Sequence, residues 1–245
     1  MLTSISVTIE NDYINGGVRI KSDSNINEIG DIASVVISRR PVLSSVWTDV
    51  YVIEVDSAED LSFDLLDILT LSGTAYNYNI DLMPAGSIIP LESEVFYDIK
   101  FKFEGLFVGN FERFYVAGTN FRTETKQNMQ VEYVTTLAGK YPYRVCNSDT
   151  NYATGTSSGL FLRLTDDKRS FVPDDNHEYS NEVLEFLCDG TSKILKTHDG
   201  QMWNVSIDAN PNKVYSDYTG MNALQFSWTE IDSVPTSGMI RMAGE

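Results

Sequence analysis

The sequence predicts a mainly β protein in two parts: a β-sandwich over residues 1–105, and a second β-rich part with one short helix over 106–245. Three observations carry that expectation. Apolar residues recur at every second position through most of the chain, the mark of strands buried on one face. Aromatic side chains are plentiful, with 13 Tyr and 12 Phe, and such residues suit a pleated surface. Turn chemistry built on Gly, Asn, Asp and Pro falls between the apolar runs.

In the first part, Ile5, Val7 and Ile9 alternate with small or polar residues. Val18–Lys21 repeats the pattern after Asn15-Gly16-Gly17, so the two runs read as a hairpin. Val35–Ile37, Val46–Val55 and Tyr76–Ile80 read as further strands. Val95, Tyr97, Ile99, Phe101 and Phe103 alternate with Asp98, Lys100 and Lys102, which predicts one long half-buried strand. The spacing of these strands is that of a sandwich. Residues 57–69 are ambiguous. Ser57-Ala58-Glu59-Asp60 followed by Leu61, Leu65 and Ile68 has the look of a capping box and helical spacing. The same stretch lies between two strands, where an extended connection would serve.

After Gly105 the pattern restarts with the aromatic-rich run Leu106–Val116, then Met129, Val131 and Tyr133 in alternation. Pro142 argues for a strand edge or start. Residues 147–159 are Asn, Ser, Thr, Gly and Asp around Tyr152, which is loop chemistry. Leu160–Leu164 reads as a strand and 165–178 as an exposed loop. Ser180 is placed to cap a short helix with Val183, Leu184 and Leu187 as its apolar stripe and Gly190 at its end. Ile194–His198, Asp199-Gly200 and Met202–Ile207 form the strongest hairpin signal in the chain. Leu224, Phe226 and Trp228 supply a last strand, and the tail from Ser233 reads as loose.

The formal net charge is −17, and residues 1–105 carry 6 basic against 17 acidic residues. That field repels phosphate backbones, so no direct nucleic-acid partner is expected. No stretch approaches the roughly 18 apolar residues of a membrane-spanning helix, so no membrane insertion is expected. The start, MLTSISVTIEND, lacks a basic segment followed by an apolar one, so no leader is expected. Cys146 and Cys188 are too few for a disulfide framework and read as free, buried thiols, with a mutual bridge left open.

No catalytic constellation is visible. His177 and His198 lack a partner at metal-ligand spacing. Asp23–Asn27 begins like a calcium loop, but Glu28 stands where the turn needs Gly and Ser34 where it needs a bidentate Glu. The many carboxylates read as a solvated acidic face, and no glycine-rich phosphate cradle appears. No catalytic residue, no cofactor and no metal site is therefore expected, and the chain reads as something other than an enzyme. The aromatics Tyr13, Tyr152, Tyr179, Tyr215 and Tyr218, flanked by polar residues, suit an interface or a sugar-stacking surface.

SVVISRRPVLSSVWTDVYVIEV, AEDLSFDLLDILTLSGTAYNYNIDLMP and FKFEGLF together resemble the fibronectin type III-like domain found in tail proteins of tailed phages. TLAGKYPYRVCNSDTNYATGTSSGLF, KILKTHDGQMWNVSIDANP and ALQFSWTEI resemble the segments that follow it there. The resemblance covers most of residues 18–232. It implies a fibronectin III/Ig-like N-terminal sandwich and a non-enzymatic virion component of the tail tip or baseplate, assembled in the host cytoplasm. It also implies that 57–69 connects two strands. The expected partners are other phage tail subunits, including further copies of the chain in a homo-oligomeric ring. Phe107, Phe111, Phe114, Tyr115 and Tyr152, with the 147–159 loop, are the expected interface residues. The alternative from another class is a carbohydrate-binding module that recognises bacterial surface glycans.

Overall fold

The structure is a computed structural model, and it describes residues 2–135, 137, 140–163, 172, 176–208, 210–216 and 221–242. It is mainly β, with one α-helix and one 3₁₀ turn among the described residues. The chain forms two compact units: Met1–Val116, Ile194–Met202 and Val234–Glu245 make the first, and Ala117–Lys193 with Trp203–Ser233 make the second. A single boundary at residue 105 is therefore replaced by a discontinuous division, in which the chain leaves the first unit and twice returns.

The first unit begins with strands β1 (Ile5–Asp12), β2 (Gly17–Ser24), β3 (Ile32–Pro41) and β4 (Thr48–Glu54). A 3₁₀ turn, Ala58–Leu61, leads to β5 (Phe63–Asp67), β6 (Ala75–Pro84), β7 (Glu92–Lys100), β8 (Leu106–Gly109) and β9 (Phe114–Ala117). One antiparallel sheet runs β1-β2-β5 and a second runs β4-β3-β6-β7. Val18, Ile20 and Leu65 of the first sheet share one apolar core with Val35, Ile37, Tyr78 and Ile80 of the second. Burying these side chains on alternate positions of both sheets is what makes a sandwich.

Two sequence expectations change here. The capping box at Ser57 is real, since Asp60 accepts from the Ser57 N–H at 2.8 Å and from its hydroxyl at 3.0 Å. It closes only a single 3₁₀ turn, because Phe63, Leu65 and Leu66 are needed in the sheet and are buried there. The long alternation of 95–103 is broken by a bulge: Tyr76 pairs with Ile99 but Tyr78 pairs with Phe96. Asp98 adopts φ 55° at that point, and its N–H is accepted by Asn77 Oδ1 at 3.0 Å. The extra residue turns Tyr97 outward and Phe96 toward the core. Phe101 and Phe103 follow the strand's end and are buried.

The second unit holds β10 (Thr119–Val134), β11 (Tyr143–Leu160) and helix α1 (Asn176–Leu187). Strands β12 (Lys193–Thr197) and β13 (Met202–Ile207) follow, and of these the first unit takes Ile194–Met202. β14 (Asn212–Ser216) and β15 (Met221–Asp232) complete the second unit, and β16 (Ile240–Arg241) belongs to the first. Within the second unit β11 pairs with β10 and β15, and β15 pairs with β13 and β14.

Residues 147–159 lie in β11 and are not a loop. At Gly155 and Ser157 close packing demands small or polar residues. A Cβ on Gly155 would sit 2.3 Å from the Glu124 carbonyl oxygen and 2.6 Å from the Trp228 ring. Ser157 is buried and accepts from Trp228 Nε1 at 3.0 Å. The Leu160–Leu164 strand is likewise cut short, ending at Leu160 with Phe161 and Leu162 buried beyond it, and Leu164 lies outside the described residues. Helix α1 starts earlier than a Ser180 cap would have it. Ser180 lies inside the helix and returns its hydroxyl to the His177 carbonyl at 3.0 Å. Of the expected loop at 165–178, residues 165–171 and 173–175 fall outside the described residues, and 176–178 begin the helix.

The expected hairpin at Asp199-Gly200 is present between β12 and β13, with the Thr197 N–H donating to the Gln201 carbonyl at 3.0 Å. The tail is ordered rather than loose. β16 pairs with β5, and Met239 and Ile240 are buried in the first unit.

Candidate assembly surface

The exposed apolar surface of the second unit is concentrated in one element. β11 pairs with β15 only over Thr154–Gly159, while its pairing with β10 continues to Tyr143↔Val134. Residues 129–134 and 143–151 therefore form a two-stranded arm beyond the edge of the sheet. Directly opposed residues in an antiparallel pair share a face. Tyr133 and Arg144 lie on one face, with Val131 and Cys146; Val134 and Tyr143 lie on the other, with Glu132 and Val145. Tyr133 and Tyr143 are each 66% exposed, and Tyr141 before the second strand is 71% exposed. Large apolar side chains thus stand in solvent on both faces. An isolated two-stranded ribbon is marginal in water, so covering these faces would stabilise it.

The expected interface residues are divided by the structure. Phe107 is fully buried, and its ring stacks on Phe114 with centroids 5.6 Å apart. Tyr115 is also buried, so neither Phe107 nor Tyr115 offers surface to a partner. Phe107 is a core residue because β8 is covered on both faces, and Tyr115 because it points to the buried face of β9. Phe114 is half-buried, while Phe111 and Tyr152 are exposed. The arm tyrosines Tyr133, Tyr141 and Tyr143 were not among the expected residues. The alternation Met129-Val131-Tyr133 was visible, but what leaves it uncovered is the short reach of β15, which no local pattern reveals.

The first unit contains a buried polar centre that the sequence did not announce. Lys196 on β12 is fully buried and donates from Nζ to the main-chain carbonyls of Gly16, Ile68 (2.7 Å) and Thr70 (3.1 Å). Phe101, Phe107 and Phe103 surround the ammonium at 4.9, 5.1 and 5.9 Å from their centroids. Three carbonyls match the three donors of an ammonium. Burial nevertheless pulls its pKa from 10.5 down to about 7, with Asp67 opposing the shift and Arg39 adding to it. Asp67 is itself buried and receives Arg39 Nη1 at 2.5 Å and the Tyr78 hydroxyl at 2.8 Å. Burial, reinforced by Asp67, pushes the Tyr78 hydroxyl well above its ordinary value. Every one of these polar groups is engaged inside the core, so the centre pins strands together and presents nothing to a substrate.

His177 and His198 lie at the surface. Cys146 and Cys188 are free and exposed, which corrects the expectation of buried thiols, since Cys146 lies on the arm and Cys188 just past the end of α1. Among the described residues no group of three or more His, Cys, Asp or Glu could hold a metal ion. No helix among them is long and apolar enough to cross a membrane.

Fold and surface together define a class: a mainly β protein of two units, the second of which carries most of its exposed apolar groups on a two-stranded arm. No protein-family model matches the chain, and no curated protein sequence matches it. Among solved structures it is similar to a chain of the virion of a native gene transfer agent particle, at 12% identity and a TM-score of 0.33, covering 57% of this chain and 96% of that one. A likeness of that size bears no weight for function.

Proposed function

We propose that the chain is a non-enzymatic structural protein of a phage-like virion, placed at the tail tip or baseplate. There it bridges tube or hub and receptor-binding parts, and works in a homo-oligomeric ring assembled in the host cytoplasm. The observation that carries the reading is the β10–β11 arm, with exposed tyrosines on both faces and, among the described residues, no further strand paired to either outer edge beyond Ala153. Such a ribbon suits insertion between subunits or addition to a neighbouring sheet. The sequence resemblance to phage tail proteins supports the setting. The strand order supports the fibronectin III-like part of that resemblance, because 1-2-5 on one sheet and 3-6-7 on the other are shared with immunoglobulin-type sandwiches, with strand 4 pairing to strand 3.

The test is incorporation. Particles purified from the producing host are expected to contain the chain at a fixed number of copies, with antibody label at one position along the tail. Particles that lack the chain would overturn the reading. Binding to bacterial surface glycans by a chain absent from particles would favour a carbohydrate-binding module instead.

A further inference from the structure

Resting on that reading of the arm as an assembly element, we propose that the arm tip docks on one end of the β4-β3-β6-β7 sheet in a second copy of the chain.

That end of the sheet is fixed by its register. Ile32 pairs with Pro84 and Ser34 with Glu54, which brings the start of β3, the end of β4 and the 85–91 loop to the same end. The loop between β6 and β7 holds its apolar side chains outward, with Ile88 94% and Ile89 72% exposed. Its backbone is anchored by the Leu91 N–H donating to the Leu82 carbonyl at 2.7 Å, and Gly86 turns it at φ 69°. Asp31 just before β3 and Glu54 at the end of β4 are exposed there, as are Asp56 and Glu59 in the stretch that follows β4. Residues 41–99 contain no Lys or Arg at all.

The arm tip has the complementary character. Residues 133–146 contain no Asp or Glu and carry Lys140 and Arg144, in a chain whose net charge is −17. Lys140 Nζ lies 5.4 Å from the Tyr141 ring centroid, so the cation and the aromatic surface are presented together. An apolar patch rimmed by acids on one element thus matches an apolar patch bearing cations on another, and electrostatic complementarity of this kind fixes partner and orientation. One chain carries both halves, so a second copy supplies the partner. The contact is head-to-tail, and such a contact closes into a ring when its rotation allows. A nucleic acid is the poorer occupant, because two cations stand against the repulsion of the whole acidic chain.

Sedimentation of the full chain across concentration and ionic strength tests this. The wild type is expected to associate, and less so at high salt. Lys140→Glu with Arg144→Glu is expected to weaken association roughly tenfold or more, and Glu54→Lys with Asp56→Lys to do the same. All four substitutions in one chain are expected to restore it. All four affected residues are solvent-exposed, and circular dichroism checks that each variant is folded. Association that persists through both reversals overturns this docking and leaves the assembly reading standing. So does failure of the combined variant to recover. A wild type that stays monomeric at every concentration overturns both.

Discussion

Lys196 shows what a single residue does in this fold. In the run ILKTHDG nothing marks it as different from a surface lysine, yet every residue of β12 is buried. Both faces of that strand are covered, and no local pattern reports the second cover. Its titration gives a definite sign. The folded pKa of about 7 lies below the unfolded 10.5, so within that window the unfolded chain keeps a proton that the folded chain has shed. Stability therefore rises as pH climbs from 7 toward 10. Denaturant unfolding at pH 7 and pH 9 is expected to show the wild type gaining on a Lys196→Met variant, which has no such proton to lose. Equal gains in both would contradict the assignment.

Glu92 works in the opposite sense. Partial burial pushes its carboxyl up, but bonds from the Thr3 hydroxyl and N–H and from Ser4 outweigh that and bring it from 4.5 to about 2. The carboxylate holds the start of the chain against β7, receiving the Ser4 N–H at 3.0 Å and its hydroxyl at 2.8 Å. A lowered folded pKa gives stability that is present above about 4.5 and lost as pH falls toward 2. Acid titration of unfolding is expected to be shallower in Glu92→Gln than in the wild type between these values. The reverse order would remove this clamp from the account.

Among the elements, β11 and β16 test how packing overrides composition. The string NSDTNYATGTSSG is turn chemistry by residue type, and pairing makes it a strand: with β10 along its length, and with β15 as well over Thr154–Gly159. Gly155 is the point where that pairing is tightest, between a main-chain carbonyl and a packed Trp ring. Gly155→Ala is expected to cost about 1–3 kcal/mol, the usual scale of overpacking, measured by denaturant unfolding. No loss would mean that β15 does not approach β11 as described.

The tail was illegible for a similar reason. Met239 and Ile240 are two apolar residues in a Ser/Gly-rich stretch, and their value comes from β5, more than 170 residues earlier in the chain. Ile240→Ala is expected to destabilise the protein by about 2–5 kcal/mol, as for other buried isoleucines. A change within error would mean that β16 is not docked. The bulge at Tyr97-Asp98 belongs with these cases, since one extra residue reversed which aromatic faces the core.

At the scale of the molecule, the sequence was most informative where order is local. The mainly β class, the β1–β2 hairpin, the Asp199-Gly200 turn and the β15 strand all follow from alternation and turn residues that lie next to one another. The division into units did not follow, because residues 194–202 and 234–242 join the first unit across long separations. The exposed aromatic surface was foreseen in kind and mostly misplaced in detail. Exposed aromatics were expected, yet Phe107 and Tyr115 proved to be core, and the exposed tyrosines lie on the arm. Residue type predicts an aromatic's burial poorly in a chain this rich in them, whereas the length by which one strand pair outruns its neighbour decides it.

The measurement that bears most directly on the central claim is the mass of the full chain in solution as concentration rises, compared with a Tyr133→Ser, Tyr143→Ser variant of the arm. The wild type is expected to build a closed oligomer of fixed mass at higher concentration, and the variant to remain a folded monomer under the same conditions. A wild type that is monomeric throughout, or a variant that assembles as readily as the wild type, would contradict the role given to the arm.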